Sequence, residues 1–138
     1  MTQEPSWVGK YIGLPFVEKG RDFDGVDCYG LYWLIRSEEY GETLPMFLEN
    51  FSPEDVAYIR GLIAGRLDAW RKLDKPEIGC GVLLKVQGQD SHIGVMIGPD
   101  TFIHVNDDAN QVHKDRIGGL MWPQRKVVGY YAWPGGAS

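Results

Sequence analysis

The sequence predicts one α+β domain in which helices pack on one side of an antiparallel sheet. Two observations and one general rule predict this class. Apolar residues recur at helical spacing up to about residue 71, short strand-like runs separated by turns follow from residue 75, and helices that precede strands in this way are typical of α+β proteins. The 138 residues are 43% hydrophobic and 24% charged, which suits one domain with a hydrophobic core and argues against a disordered chain.

The overall composition excludes several function classes. A formal net charge of −5, without a Lys/Arg cluster, argues against a nucleic-acid-binding surface. The apolar runs are too short to span a bilayer. Residues 1–5 lack the basic and apolar regions of a signal peptide, so we expect synthesis in the cytoplasm. The two cysteines, Cys28 and Cys80, are expected to be free thiols in such a compartment.

A helix is predicted over residues 28–40. An N-terminal segment with apolar residues at roughly helical spacing ends at Pro15, and a polar loop over residues 20–25 follows. Asp27 is a good N-cap because its side-chain oxygen can accept from the free N–H groups of the first turn. Gly41 ends the helix.

A second amphipathic helix is predicted over residues 53–71, after a connection over residues 42–51. Ser52 is the expected cap, and Pro53 suits the first helical position. The apolar positions that recur at helical spacing are Val56, Ile59, Ile63, Leu67 and Trp70.

The remaining chain reads as strands. Strands are predicted over residues 82–87, 92–97, 101–105, 111–114 and 127–133. The turn over residues 98–100 separates two of them closely enough to predict a hairpin. Residues 106–110 are expected to form a polar loop, with the acids at 107 and 108 belonging to a turn.

Cys28 is the candidate nucleophile because it falls in the first turn of the helix over residues 28–40. The positive end of the helix dipole is expected to favour its thiolate, while the neighbouring Asp27 carboxylate acts in the opposite direction. A nucleophile of this kind needs a base, and two histidines downstream, His92 and His104, are the candidates.

The predicted hairpin brings these two histidines together. If Ile97 faces Thr101 across the turn, His92 lies near residue 105 or 106, and His104 is one or two places from the opposite position. In such an arrangement Cys28 attacks a carbonyl carbon, and His92 takes the thiol proton and returns it to the leaving amine. His104 fixes the tautomer and orientation of His92. The Cys28 backbone N–H is the expected oxyanion donor.

Other readings of these residues remain open. Cys28, His92 and His104 could instead supply three zinc ligands, although their spacing matches no short zinc motif. Without a partner group, each is a buried thiol or a hydrogen-bonded strand histidine. We expect Cys80 to be structural and His113 to lie on the exposed side of a short strand, outside the site.

Three blocks of the sequence resemble the signature blocks of the NlpC/P60 cysteine peptidases. They are residues 27–31 (DCYGL), 92–95 (HIGV) and 102–104 (FIH), in that order. The flanking residues 20–22, 41–45 and 128–131 resemble the bacteriophage tail-assembly branch of the family. The resemblance covers residues 13–133 and makes residues 1–138 one NlpC/P60-like domain.

The resemblance implies a papain-like fold with the nucleophile at a helix N-terminus. It implies hydrolysis of peptidoglycan stem peptides, typically at the bond from D-glutamate to a diamino acid, with no cofactor and no metal. It assigns Cys28 as nucleophile, His92 as base and His104 as the third, orienting residue. The expected partners are the stem peptide and other phage tail proteins, with the virion tail as a location.

Two positions differ from the pattern that many family members show. Residues 79–80 are Gly-Cys where a Gly-Asp pair is common, and Phe16 is the nearest match to an upstream tyrosine that assists at the oxyanion. These differences keep an alternative function open. The chain could be a structural component of a phage tail that retains the peptidase fold with little or no turnover.

Overall fold

One antiparallel sheet carries most of the described fold. The computed structural model describes residues 4–44, 71–86, 89–105, 110–118 and 125–132. The helices are α1 (Val8–Tyr11) and α2 (Cys28–Tyr40). The strands are β1 (Arg21–Asp22), β2 (Gly25–Val26), β3 (Arg71–Leu73), β4 (Gly81–Val86), β5 (Gln89–Met96), β6 (Thr101–His104), β7 (His113–Arg116) and β8 (Arg125–Ala132).

The sheet has the strand order β3-β8-β4-β5-β6-β7, and every neighbouring pair is antiparallel. Strands β1 and β2 form a separate small hairpin. Helices and an antiparallel sheet agree with the predicted α+β class. No helix among the described residues has the length and apolar character that a bilayer crossing requires.

Helix α2 has the predicted bounds, and local chemistry explains both of its ends. The Asp27 side chain accepts from the Gly30 backbone N–H at 2.7 Å, which satisfies a donor that no helical carbonyl can reach. Gly41 adopts a left-handed conformation with φ 65°, which glycine tolerates without the steric cost of a Cβ atom. The predicted helix over residues 28–40 is therefore confirmed.

The hydrophobic core lies between α2 and one face of the sheet. Tyr32 and Ile35 on the helix are fully buried and belong to the same apolar cluster as Ile93 and Val95 on β5. The alternate residues of the strands form a second cluster on the other face, which contains Leu73, Cys80, Val82, Leu84, Met96 and Phe102. This alternation follows from the two-residue period of a strand.

The hairpin of β5 and β6 has the predicted register. Ile97 N–H donates to the Thr101 carbonyl at 2.9 Å, and Met96 pairs with Phe102. Extension of this register places His104 opposite Gly94, two residues from His92. A Cβ atom at Gly94 would lie 2.8 Å from the Phe102 ring, so only glycine allows the two strands to pack this closely.

Several element predictions differ from the structure. The polar loop expected over residues 20–25 contains the β1–β2 hairpin. The strand expected over residues 111–114 forms over His113–Arg116, and β5 begins at Gln89, before the expected start at residue 92. The helix predicted over residues 53–71 falls outside the described residues except at its end, where Arg71 begins strand β3.

Candidate active site

Cys28 is the first residue of α2, and a network around Asp27 fixes this helix start. Beyond capping Gly30, the Asp27 carboxylate accepts from the Lys19 backbone N–H at 3.0 Å and pairs with the Arg21 guanidinium at 2.7 Å. The side chains of Arg21 and Asp27 are only 6% and 3% exposed. A buried carboxylate needs this degree of compensation, because an unpaired charge in the interior is costly.

The loop that precedes β1 packs directly against the first turn of α2. Arg21 also donates to the Gly20 carbonyl at 2.8 Å, and its guanidinium lies 5.3 Å from the centre of the Tyr29 ring. A Cβ atom at Gly30 would lie 2.0 Å from the Gly20 carbonyl oxygen, so the close approach requires glycine. An open groove of about 410 Å³ is lined by residues 17–22, 24 and 25, on this loop and on the β1–β2 hairpin that follows it.

The environment of Cys28 holds its thiol in the neutral form. Burial raises the pKa of Cys28 to about 12, and the Asp27 carboxylate adds to this rise. The backbone amides of Ile93 and Tyr29 and the Arg21 charge act in the opposite direction, with smaller effect on the pKa. The amide of Tyr29 in the first turn of α2 favours the thiolate, as expected of a helix start, but the desolvation of the buried sulfur outweighs it.

The contact with the Ile93 amide also locates the sulfur atom. Ile93 lies on β5 and follows His92 directly, so the start of α2 packs against the strand that carries the candidate base. Cys28 retains some exposed surface, whereas Cys80 is only 3% exposed. The thiol of Cys28 is thus the more accessible of the two.

His92 and His104 form a direct pair, as the hairpin count predicts. His92 Nε2 lies 2.7 Å from His104 Nδ1, and the ring centres are 5.0 Å apart. The two residues are 8% and 0% exposed. A bond between two ring nitrogens requires one to donate and the other to accept, so the tautomer of either histidine sets that of the other.

Asp115, which was not among the predicted site residues, extends this pair. Its Oδ2 atom lies 3.3 Å from His104 Nε2, and its side chain is 24% exposed. His113, which was expected to lie outside the site, places its ring centre 4.3 Å from that of His104. The available signal was the alternation His113-x-Asp115 on the strand after His104, since alternate residues share one face.

The alternative of a zinc site formed by Cys28, His92 and His104 differs from the group of potential metal ligands that the structure brings together. Within the described parts of the chain, the donor atoms close enough to share a metal ion belong to His104, His113 and Asp115. Cys28 and His92 are not part of this group.

Cys80 and Phe16, the two positions that differ from the family pattern, both have packing roles. Cys80 Sγ accepts from the Glu77 backbone N–H at 3.5 Å, and burial raises the pKa of Cys80 to about 11. Phe16 forms an isolated bridge with Val26 and packs against the main core.

Comparison with solved structures identifies the fold. The NlpC/p60 domain of the peptidoglycan hydrolase SagA is similar to this chain with a TM-score of 0.55 and 19% identity, over 86% of this chain and 88% of that one. The P60 domain from the M. avium subspecies paratuberculosis antigen MAP1204 is similar with a TM-score of 0.51 and 16% identity, over 90% and 86% of the two chains. This chain therefore has the NlpC/P60 fold.

Comparison at the level of sequence adds nothing to this result. No protein-family model matches the chain, and no curated protein matches it. At 16–19% identity the structural likeness shows the fold alone, and a fold does not by itself determine an activity.

Proposed function

We propose that the chain is a thiol-dependent endopeptidase that hydrolyses amide bonds of peptidoglycan stem peptides. The observation that carries the proposal is the conjunction of a cysteine at a helix N-terminus with a buried histidine pair on the strands beside it. Cys28 begins α2, its sulfur meets the Ile93 amide, and His92 and His104 are joined at 2.7 Å. This is the constellation that acyl transfer through a thioester needs.

The hydrogen-bond directions along the histidine pair support His92 as the base. The Asp115 carboxylate, 3.3 Å from His104 Nε2, favours a proton on that nitrogen. His104 Nδ1 then accepts from His92 Nε2–H, which leaves the lone pair of His92 on Nδ1. That lone pair takes the proton of Cys28 as the sulfur attacks the carbonyl carbon, and the imidazolium returns it to the leaving amine.

The remaining steps follow from acyl-transfer chemistry. The tetrahedral oxyanion accepts from the Cys28 backbone N–H, which is not needed for helical bonding in the first turn. Water then attacks the thioester with His92 as base and restores the thiol. His104 is the positioning residue that holds His92. Because burial favours the neutral thiol, Cys28 depends on His92 to take its proton in this reaction.

The finer assignments rest on the resemblance of residues 27–31, 92–95 and 102–104 to the family blocks. The scissile bond in this proposal joins D-glutamate to a diamino acid, and the protein acts as part of a phage tail tip. Neither assignment needs a cofactor.

A second candidate function is a structural tail component with little turnover. The observation that favours it is the state of Cys28, whose pKa burial raises to about 12. Phe16, which has no hydroxyl to assist at the oxyanion, favours it as well.

Digestion of purified peptidoglycan, followed by mass spectrometry of the released peptides, separates the two candidates. The proposal expects new stem-peptide fragments from the wild type and from Cys80→Ala, and none from Cys28→Ala. Equal cleavage by Cys28→Ala would remove Cys28 as nucleophile. No fragments from a folded wild type, beside an active control hydrolase and again within the assembled virion, would favour the structural role.

A further inference from the structure

A cluster of potential metal-ligand atoms adjoins the histidine pair, on β6 and β7, the last two strands in the order of the sheet. One ring nitrogen from His104, one from His113 and a carboxylate oxygen of Asp115 all lie within 4.8 Å of one another. The sheet register explains the cluster. His104 on β6 is directly opposite His113 on β7, and Asp115 follows two residues later on the same face.

The surrounding bonds prepare these side chains to act as metal ligands. His113 Nδ1 lies 3.2 Å from the Gln111 carbonyl, which holds the proton on Nδ1 and the lone pair on Nε2. His104 Nδ1 is held by His92, and its Nε2 faces Asp115. A metal-binding histidine is commonly oriented in this way, through the nitrogen that does not bind the metal.

The cluster also suits a metal in donor type, size and access. Two imidazoles and one carboxylate are ligands for Zn²⁺, with a fourth position left for water. Zinc bonds of about 2.1 Å place tetrahedral ligands about 3.4 Å apart, so modest rotations of the partly exposed His113 and Asp115 would close the site. The buried His104, 0% exposed, forms its fixed inner wall.

We propose that His104, His113 and Asp115 bind a divalent transition metal such as Zn²⁺, and that the bound metal inhibits the base His92 without touching Cys28. The inhibitory part rests on the proposed function. A metal on His104 Nε2 requires the lone pair there, so the single proton of that neutral ring moves to Nδ1. Nδ1–H then donates to His92 Nε2, and the proton of His92 moves to its own Nδ1.

That rearrangement reverses the hydrogen bond between the two histidines, while each ring keeps one proton. His92 then presents an N–H group towards the thiol, and it can no longer accept the thiol proton. The metal therefore acts as a negative regulator that works through hydrogen-bond direction alone.

The binding site is tested by calorimetric titration of Zn²⁺ into the untagged full chain carrying Cys28→Ala, which removes the accessible thiol as a competing ligand. We expect one zinc ion per chain. Adding His113→Ala, or the isosteric Asp115→Asn, should weaken binding by at least about tenfold. Lys114→Ala is the matched control, since Lys114 lies between them, faces away and pairs with Glu4 at 2.5 Å.

Unchanged affinity in both His113→Ala and Asp115→Asn, with thermal melts that show folded proteins, would overturn the site. Because this arm uses a chain without Cys28, its result does not depend on peptidase activity. Loss of peptidoglycan cleavage in the wild type would thus count against the proposed function and leave the zinc site standing.

The regulatory part is tested by alkylation of Cys28 with iodoacetamide, with and without Zn²⁺. Each variant is compared with its own zinc-free rate. We expect zinc at about 90% saturation of the wild-type site to slow the reaction of the wild type about tenfold. The same zinc concentration should slow that of His113→Ala by at most about twofold, because a site that binds at least about tenfold more weakly is then at most about half occupied. Equal protection in both proteins would show that zinc binds the thiol itself, and it would refute regulation through His104.

Discussion

Replacement of Arg21 by alanine tests whether the start of α2 depends on a buried ion pair. The Arg21 guanidinium donates to Asp27 at 2.7 Å, and the two side chains are 6% and 3% exposed. The substitution leaves the Asp27 carboxylate buried with only two backbone N–H donors, from Lys19 and Gly30. Breaking a buried pair by removing one partner costs about 3–5 kcal/mol, because the other charge stays uncompensated.

The same substitution at an exposed pair supplies the control. Arg116 lies 3.3 Å from Asp100, with side chains 72% and 52% exposed, so solvent screens the interaction and Arg116→Ala should cost at most about 1 kcal/mol. For a domain of this size, each kcal/mol lowers Tm by about 3–4 °C. We therefore expect a loss of about 9–20 °C for Arg21→Ala and less than about 4 °C for Arg116→Ala.

Thermal and urea unfolding, followed by circular dichroism, measure both variants. A second readout distinguishes the charge of Arg21 from its packing, because Arg21 lowers the pKa of Cys28. Alkylation of Cys28 at pH 8 should be slower in Arg21→Ala, and Arg21→Lys should recover part of the rate. Equal losses of stability for Arg21→Ala and Arg116→Ala would refute the argument that burial gives the first pair its importance.

Two further predictions follow from the same part of the fold and from the second thiol. Gly30→Ala should lower the urea midpoint of unfolding more than Gly41→Ala. The new Cβ at Gly30 would lie 2.0 Å from the Gly20 carbonyl oxygen, whereas the cost at Gly41 is only that of a φ of 65° with open space around it. The reverse order would contradict the packing of the loop that carries Gly20 against α2. Burial raises the pKa of Cys80 to about 11, so the folded state favours the protonated thiol. The contribution of this protonated thiol to the free energy of unfolding is complete below pH 9 and is lost as the pH rises through 11. Cys80→Ala should therefore reduce the alkaline slope of unfolding free energy by up to about 1.4 kcal/mol per pH unit, and an unaltered slope would show that this thiol ionises normally.

The features that the sequence predicts well are those with local causes. The bounds of α2 follow from the capping oxygen of Asp27 and from the left-handed conformation of Gly41, both of which are encoded within one turn of the helix ends. The proximity of His92 and His104 follows from one short turn, which fixes the register of the hairpin.

The features that the sequence does not predict have causes that lie far apart in the chain. Asp115 meets His104 only because β6 pairs with β7, across a connection whose length does not fix the register. The β1–β2 hairpin has strands of two residues, too short for a periodic pattern, and the Arg21–Asp27 pair lies beside it. The state of Cys28 depends on burial, which a helix dipole read from the sequence does not include.

The neutral thiol and the histidine pair together determine what the proposed reaction requires. Burial raises the pKa of Cys28 to about 12, so this thiol is protonated at neutral pH. The base His92 must therefore direct its lone pair towards the sulfur when the substrate binds. The direction of the His92 lone pair depends on which nitrogen of His104 carries the proton. The nitrogen that carries it in the proposed reaction is Nε2, which faces Asp115. On this argument, the residue with most control over the reactivity of Cys28 is the carboxylate of Asp115, at the far end of the pair. The Asp27 carboxylate beside the sulfur is already engaged by Arg21 and two backbone amides.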